Sequence, residues 1–338
     1  MAQIKRTEER LRQIKVRQWV QRWGLNYVAS TFADRSEAPG ISTGTVLRPV
    51  SLGQRKFHTL SAPETYCALL ALHLLACADA PEPPRPSCWD VHEQFVLFSK
   101  PREHPLFNHP LADGVGFRRF EGTLAVAERM GLLSQHPRIR LRRGTDPSQW
   151  PMVPFPFLGD LRLFMRDGLG VYCLNWPVKN KYEDFRKSGP RSKPRPIEER
   201  DLDDPTSVAR QELESLYHSD AGIRTQQVSL DQIDFQLRCN LRDLFLEDAK
   251  QLPLTVAQRS DALSLAREFI GVDLPGHLVA RRIARAFPIS DIEAATLLYQ
   301  GAWRRELRVD LYRPFLMTKP LRPEVTDVFA KFSDWFAR

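Results

Sequence analysis

The segment from residue 159 to residue 181, GDLRLFMRDGLGVYCLNWPVKNK, constrains the fold more than any other part of the chain. Two runs, FLGDLRLFM and GVYCLNWPV, are rich in apolar, aromatic and β-branched residues, as strands are. Gly168 and Gly170 lie between them and can adopt the positive φ angles that a tight turn needs. The segment therefore predicts a β-hairpin with a loop of two or four residues.

This hairpin is predicted to bring an acid and a lysine to one sheet face. Side chains alternate along a strand, so Asp160 falls opposite Asn175 or Pro177, and both share its face with Lys179. The pair could be an ordinary cross-strand contact worth under about 1 kcal/mol. It is also what a phosphodiester nuclease of the restriction-enzyme type needs, because the carboxylate holds a hard divalent cation and the ammonium group lies against the scissile phosphate.

Length and composition allow two domains with apolar cores, since the chain has 338 residues and 42% hydrophobic content. No window approaches 18 consecutive apolar residues, and the basic N-terminus lacks the apolar core of a signal peptide. We therefore expect a cytoplasmic protein with no membrane partner. The cysteines are odd in number and show no CxxC spacing, which predicts reduced core thiols: Cys67, Cys77, Cys88, Cys173 and Cys239.

The net charge of +8 is concentrated in four basic clusters, at residues 5–22, 138–143, 179–195 and 281–308. Such clustering is typical of proteins that bind a polyanion, most simply nucleic acid, although many solvated helices are also basic. The candidate DNA contacts are Arg10, Arg17, Arg138, Arg140, Arg142, Lys181, Arg186 and Lys187.

A mostly apolar helix of about 16 residues is predicted after Ser61, in the run FHTLSAPETYCALLALHLLACADA. Ser61 and Glu64 have the spacing of a capping box. Capping is a sufficient role for Glu64, while a functional interpretation places it beside the hairpin as a second carboxylate. The two roles are compatible.

Strand patterns alternate with helix patterns over the rest of the chain, which predicts an α/β core. Strands are predicted at residues 89–98 and 223–230, and helices at residues 4–23, 123–130, 206–218 and 234–248. The first of these helices carries Ile4, Leu11, Ile14 and Trp19, which we expect to rest on a partner surface. Residues 101–156 are interpreted as an insertion or a partly mobile loop, and residues 181–200 as a mobile segment rich in Pro, Lys, Arg and Ser.

A C-terminal unit is predicted to begin near residue 252. It contains helix patterns at residues 255–270, 277–287 and 290–303 and a strand pattern at 306–311, which suggests a small winged-helix-like domain. Its last helix could contact DNA or pack against a partner. The predicted division is a basic arm (1–50), a core domain (51–250) and this domain (251–338).

In order and type, four motifs resemble the TnsA family, the endonuclease subunit of heteromeric transposases: FHTLSAPETYCALLALHLL, DVHEQFVLF, the aspartate that ends PFLGD, and the strand that ends WPVK. The resemblance covers nearly the whole chain. It implies an α/β, restriction-endonuclease-like core, a mixed sheet flanked by helices, with a C-terminal winged-helix-like domain. By position, Glu64, Asp160 and Lys179 look like the catalytic triad, and Gln94, next to Phe95, looks like a residue that helps hold the site.

One departure from the family pattern concerns the metal ligands. The family has Gln or Glu two residues before the lysine, and here that position is Pro177, which has no side-chain ligand. Coordination of Mg²⁺, or of Mn²⁺ as its substitute, would then rely on Glu64, Asp160, the backbone carbonyl of Val178 and water. Asn175 lies on the same predicted face and could compensate.

The resemblance also implies an activity and its partners. The chain would cleave the 5′ ends of a transposon in double-stranded DNA, in bacterial cytoplasm at the nucleoid. A TnsB-like DDE transposase would cut and join the 3′ ends, and a TnsC-like AAA+ ATPase would recruit both. Two alternatives stay open: a catalytically weak, nuclease-fold scaffold subunit that binds DNA, and a restriction or repair endonuclease that acts alone.

Overall fold

The computed structural model describes residues 7–38, 43–78, 80–83, 85–143, 145–187 and 203–338. The strands, in chain order, are β1 (Thr45–Leu47), β2 (Phe57–Thr59), β3 (Ser87–Leu97), β4 (Arg138–Arg140), β5 (Met152–Pro154), β6 (Phe157–Asp167), β7 (Gly170–Trp176), β8 (Val178–Lys179), β9 (Arg224–Thr225) and β10 (Val228–Ser229). The helices are α1 (Glu8–Gln18), α2 (Ala62–Ala76), α3 (Thr123–Arg129), α4 (Pro205–Asp220), α5 (Phe235–Asp248), α6 (Val256–Arg267), α7 (Gly276–Ala286), α8 (Asp291–Trp303), α9 (Val328–Lys331) and α10 (Ser333–Phe336).

The central sheet has the strand order β3–β6–β7–β9 and is mixed. Strands β3, β6 and β7 are antiparallel neighbours, and β9 runs parallel to β7. Helix α2 covers one face, where Leu161 and Leu163 of β6 join its core, and α3 and α4 cover the other, where Phe164 packs with Tyr217. The predicted α/β core, a mixed sheet flanked by helices, is thus confirmed.

The predicted hairpin is confirmed, with a two-residue loop of Gly168 and Leu169 between β6 and β7. Leu161 pairs with Trp176, so the same register places Asp160 level with Pro177. Proline has no amide hydrogen and cannot continue a ladder. The chain leaves β6 at this point, and β8 pairs in parallel with β10 instead. This fork in the sheet lies beside Asp160.

Gly159 is required by the packing of Phe95, its cross-strand partner. A methyl group added at Gly159 would lie 2.2 Å from Cζ of Phe95, whose side chain is buried. We expect Gly159→Ala to lower the free energy of unfolding by about 1–3 kcal/mol, since a packed ring must shift. Urea unfolding measures this. Gly168→Ala, where an added methyl group meets nothing within 4 Å, is the matched control, and equal effects of both substitutions would contradict the argument.

Helix α1 ends at Gln18, earlier than predicted, and packs on its own chain. Leu11 and Ile14 are buried against Val96 of β3 and against Ile139 and Phe155, so the expectation that they rest on a partner is wrong. Only Trp19 of that set is exposed, and Ile4 lies outside the described residues.

Two arginines proposed as DNA contacts are structural. Arg10 is 6% exposed and donates hydrogen bonds to Glu37 and to the carbonyl of Ser30, each 2.8 Å long. Arg17 donates to both oxygens of Glu37, at 2.6 and 2.7 Å. The hydrogen bonds of both guanidinium groups hold residues 30–37 against α1. Neither group is therefore available for phosphate contacts.

The Glu37 ion pairs predict that the free energy of unfolding decreases at low pH. Burial raises the pKa of Glu37, but hydrogen bonds from Arg17 and Phe32 and the charge of Arg10 outweigh it and lower the pKa from 4.5 to about 2. A depressed pKa stabilises the fold above pH 4.5, and this contribution, at most about 3 kcal/mol, is lost as the pH falls toward 2. Glu37→Gln should flatten that loss in urea unfolding measured between pH 7 and pH 2.5.

The surface pair of Glu9 and Arg12 provides the control for this measurement, because both side chains are more than half exposed. Glu9→Gln should leave the acid dependence unchanged. A Glu37→Gln profile that follows the wild-type profile through the acid range would disprove the assignment.

The region predicted as an insertion is integrated into the core. Its predicted helix is confirmed as α3, and Leu106, Phe120 and Val126 are buried with Phe95 of the sheet. Of the segment predicted to be mobile, residues 188–200 lie outside the described residues.

The predicted strand at residues 306–311 is wrong. The segment makes one isolated bridge, from Val309 to Pro323, and Pro323 has no amide hydrogen with which to extend a ladder. Ion pairs hold the segment instead, between Arg259 and Glu306 and between Arg308 and Glu324. The three predicted C-terminal helices are confirmed as α6, α7 and α8, but the winged-helix-like arrangement stays a prediction.

The C-terminal helices share one apolar core with α2 and the sheet. Nδ1 of His73 in α2 donates to the carbonyl of Trp303 at 2.8 Å. Tyr172 and Trp176 of β7 donate to the carbonyls of Phe336 and Trp335, at 2.6 and 3.1 Å. The end of the described chain therefore packs directly on the hairpin. In the described residues, no helix combines the length and apolarity that crossing a bilayer requires.

Candidate active site

Asp160 lies on β6 where the sheet forks, and its side chain is 5% exposed. Its Oδ2 accepts a hydrogen bond of 2.8 Å from the amide of Val178. The neighbouring carbonyl of Pro177 points the other way and accepts from the amide of Val228 at 3.1 Å. Because the N–H and C=O of one strand residue point to the same side, the carbonyl of Val178 is also directed toward Asp160.

Glu64 lies in the first turn of α2 and closes the cap of that helix. Its Oε1 accepts from the hydroxyl of Ser61 at 2.9 Å, and its Oε2 accepts from the amide of Leu60 at 2.8 Å. The reciprocal capping bond therefore reaches Leu60, one residue before the N-cap. Gln94 also donates to Oε2, at 2.8 Å. A carboxylate has about four lone-pair sites, so these three bonds leave one, on Oε1, for a cation.

The carboxylates of Glu64 and Asp160 carry like charges that repel each other. Burial and, next, the nearby charge of Asp160 raise the pKa of Glu64 to about 7, against smaller lowering effects of its hydrogen bonds from Leu60 and Ser61. Burial also raises the pKa of Asp160, against smaller lowering effects of the Val178 amide and of Lys179. Two partly desolvated carboxylates within electrostatic reach of each other are penalised unless a cation joins them. The structure thus places the two acids that the sequence singled out within electrostatic reach of each other.

Lys179 supplies positive charge to the same site. It is partly exposed in β8, next to the residue whose amide contacts Asp160, and its charge lowers the pKa of Asp160. Within the described parts of the chain, the ammonium group forms no hydrogen bond or ion pair. It is therefore free to contact an anion that enters the site.

Gln94 holds Glu64 in place from a strained backbone position. Its φ angle is 47°, in the left-handed region that residues other than glycine rarely adopt. Its carbonyl accepts from the amide of Ser30 at 2.9 Å while its side chain donates to Glu64. Strain of this kind is typical of functional sites. The supporting role that the resemblance implied for Gln94 agrees with this geometry.

A third carboxylate, Glu214 of α4, was missed by sequence reasoning. It is fully buried, and Nδ2 of Asn175 donates to its Oε1 at 3.1 Å. Burial raises the pKa of Glu214, the charge of Arg210 lowers it, and the charge of Asp160 raises it again. Nη2 of Arg210 lies 3.5 Å from Oε2 of Glu214. The only signal in the sequence was the i, i+4 spacing of these two residues in a predicted helix.

Asn175 contacts the third carboxylate, and its compensation for the ligand that Pro177 lacks stays a prediction. Its amide nitrogen is committed to Glu214 and, at 3.2 Å, to Thr225. Its Oδ1 is buried and accepts no hydrogen bond from any described residue. Asn175 therefore connects Glu214 to the sheet, and Pro177 itself contributes no ligand.

The remaining candidate DNA contacts fall into two groups. Arg138 and Arg140 are exposed on β4, and Arg142 follows them and lies over the ring of Trp150. Lys181 and Lys187 pair with Glu183, at 3.6 and 2.9 Å, and Arg186 pairs with Asp203. Exposed pairs of this kind are worth little and can be exchanged for phosphate contacts.

The donor set fits a hard divalent cation. Glu64 and Asp160 offer carboxylate oxygens and Val178 a carbonyl, the ligand types of Mg²⁺ and Mn²⁺. The pKa values of both acids are raised, chiefly by burial, so ionisation of the two together is unfavourable without a cation beside them. Among the described residues, no group of three or more His, Cys, Asp or Glu side chains could hold a metal, so a cation here would have two carboxylate ligands.

Comparison with known proteins adds no further assignment. No protein-family model matches the chain. No curated protein matches its sequence significantly. The function of the protein must therefore be inferred from the side chains that meet at this fork in the sheet.

Proposed function

We propose that this protein is a Mg²⁺-dependent DNA endonuclease of the restriction-endonuclease-like type, with Glu64, Asp160 and Lys179 as its catalytic residues. The observation that carries the proposal is their arrangement at the fork between β6 and β8. Two acids with raised pKa values lie beside an uncommitted lysine and a carbonyl turned toward the same point. A mixed sheet flanked by helices is consistent with that type of core.

Each side chain of the site has a separate role in the proposed reaction. Glu64 and Asp160 would hold the cation, which when bound supplies charge neutralisation at the phosphate and lowers the pKa of water. Lys179 places its ammonium group against the phosphate, where it stabilises the negative charge that grows in the transition state. Gln94 and Ser61 fix the orientation of Glu64 through hydrogen bonds of 2.8 and 2.9 Å.

A role in transposition rests on the likeness to the TnsA family. In this proposal the protein cleaves the 5′ ends of a transposon, while a TnsB-like DDE transposase cuts and joins the 3′ ends and a TnsC-like ATPase recruits both. Arg138 and Arg140, exposed on β4, would contact phosphates without reading sequence. That is suited to an enzyme that is directed to its site by a partner.

The second candidate is a catalytically weak scaffold subunit with the same fold. Glu64 favours it, because three of its lone pairs are already used by the helix cap and by Gln94. Pro177 favours it too, since it removes one side-chain ligand.

A cleavage assay separates these functions. The purified protein is incubated with double-stranded DNA that carries transposon ends, with Mg²⁺ or Ca²⁺, with and without the DDE partner. Cleavage at the 5′ ends that needs Mg²⁺ and the partner supports the proposal. Efficient cleavage without partners indicates an enzyme that acts alone, and no cleavage in any mixture, with DNA binding retained, indicates the scaffold.

A further inference from the structure

Arg162 is a buried cation that forms no ion pair with any carboxylate of the described residues, although the charge of buried Glu214 acts on it from a distance. It lies on β6, two residues after Asp160, and its side chain is 7% exposed. Its guanidinium group stacks 3.9 Å from the centre of the Phe95 ring, and Nη2 lies 3.4 Å from Nε2 of His218. Nε has no hydrogen-bond partner among the described residues, and none of their carboxylates forms an ion pair with this arginine.

A charge in this position needs compensation. Removing a cation from water costs several kcal/mol even after relaxation. Stacking on an aromatic ring offsets about 2 kcal/mol of this cost when the pair is desolvated, and contact with a neutral histidine offsets less. His218 is neutral, because burial and the charge of Arg162 lower its pKa. Burial lowers the pKa of Arg162 and outweighs the charge of Glu214, which favours the guanidinium cation, so the protein leaves part of the cost of burial without compensation.

The missing anion has a place to bind. Arg162 lines a cleft of about 50 Å³ between residues 17–27 and the face of the sheet. A buried water needs roughly 10–15 Å³, so the cleft has room for a small polyatomic ligand.

Further positive charge surrounds the cleft. Arg22 and Arg102 also line it, and in the described residues neither forms an ion pair with a carboxylate. The other charged side chains of the cleft are paired elsewhere, Arg17 with Glu37 and Glu103 with Arg119. His92 adds no charge, since burial lowers its pKa to about 4.

We propose that this cleft, here called the Arg162 cleft, binds a phosphate-type oxyanion. Arg162 is the anchor at its base, and Arg22 and Arg102 bind from the rim, through charge-assisted hydrogen bonds of the kind that arginine forms with phosphate. The ligand is either inorganic phosphate or a phosphate monoester such as the 5′-phosphate of a DNA end. The proposal does not depend on nuclease activity or on a metal.

Titration of the metal-free protein with inorganic phosphate, in a calorimeter at constant ionic strength, tests the site. We expect saturable binding with a Kd below about 1 mM, and no signal from chloride. Arg162→Gln should weaken binding at least tenfold, and the double substitution of Arg22 and Arg102 by Gln should weaken it several-fold. Arg118→Gln, at an exposed arginine outside the cleft, is the matched control and should bind as the wild type does.

Two results would overturn the proposal. One is equal heat from phosphate and chloride in the wild-type protein. The other is wild-type affinity in the Arg162→Gln protein, or, if that variant does not fold, in the double variant of the rim.

The source of the oxyanion is decided by a second titration, with a short single-stranded oligonucleotide that carries either a 5′-phosphate or a 5′-hydroxyl. Tighter binding of the phosphorylated form, lost in Arg162→Gln, assigns the cleft to a DNA end. Equal binding of both forms, together with saturable binding of inorganic phosphate, assigns it to the free anion.

Discussion

Replacing Lys179 with alanine is expected to lower the rate of Mg²⁺-dependent DNA cleavage by about 10²–10³-fold, the usual effect of removing one group that stabilises transition-state charge. The ammonium group makes no hydrogen bond or ion pair with any residue described in the structure. Its removal should therefore leave the melting temperature within about 2 °C of the wild-type value, since surface substitutions of this kind change stability little. Single-turnover cleavage and thermal unfolding, measured on the same preparations, provide both numbers.

A matched control for this loss is Lys319→Ala, at an exposed lysine in the C-terminal region. It removes the same charge at a distance from the fork and should retain cleavage within about twofold. If Lys179→Ala cleaves DNA as fast as this control does, Lys179 has no catalytic role and the endonuclease assignment fails.

The substitution Asp160→Asn is expected to have opposite effects on function and on stability. It should abolish cleavage and weaken Mg²⁺ binding by at least about 100-fold, because it removes a charged ligand of the cation. In metal-free buffer it should raise the free energy of unfolding by about 1 kcal/mol, since burial and the charge of Glu64 both act against this carboxylate. Asparagine keeps an oxygen for the hydrogen bond from Val178.

This pair of effects distinguishes a functional acid from a structural one. Isothermal titration with Mg²⁺ gives the affinity, and urea unfolding with and without Mg²⁺ gives the stability. Asp90, a buried acid paired with His92 outside the fork, is the comparison: Asp90→Asn should destabilise the fold and leave Mg²⁺ affinity unchanged. A destabilised Asp160→Asn protein with wild-type Mg²⁺ affinity would show that Asp160 serves the fold.

The hairpin and the helix that carries Glu64 could be predicted because their signals are local. Glycines between two apolar runs define a turn, and a serine three residues before a glutamate defines a helix start. Period-two alternation then placed Asp160 and Lys179 near each other. The bonds from Ser61 to Glu64 and from Val178 to Asp160 arise from these neighbours in sequence and in the hairpin.

The roles of the arginines could not be predicted in this way. Arg10 and Arg17 belong to a basic helix, and only the fold shows that Glu37 pairs with both. Arg162 belongs to the first strand of the predicted hairpin, and only the fold shows that it is buried and lines a cleft. The partner of a charged side chain is set by packing between distant segments, which net charge does not reveal.

The strand predicted near the C-terminus does not form, for a related reason. The pattern at residues 306–311 favours a strand, but a strand needs a neighbour with free amides, and the residue that pairs with Val309 is Pro323, which has none. Ion pairs with Arg259 and Glu324 hold the segment in an irregular conformation instead.

By itself, the sequence determined the hairpin, the capped helix and the presence of an acid and a lysine on one face, because each depends on residues a few positions apart. Only the tertiary structure decided that Glu64 lies within electrostatic reach of Asp160, that Asn175 donates to Glu214, and that Arg162 is buried without an ion pair among the described residues. These outcomes depend on where α2, α4 and the N-terminal segment dock, and docking is governed by the sum of many contacts between residues far apart in the chain.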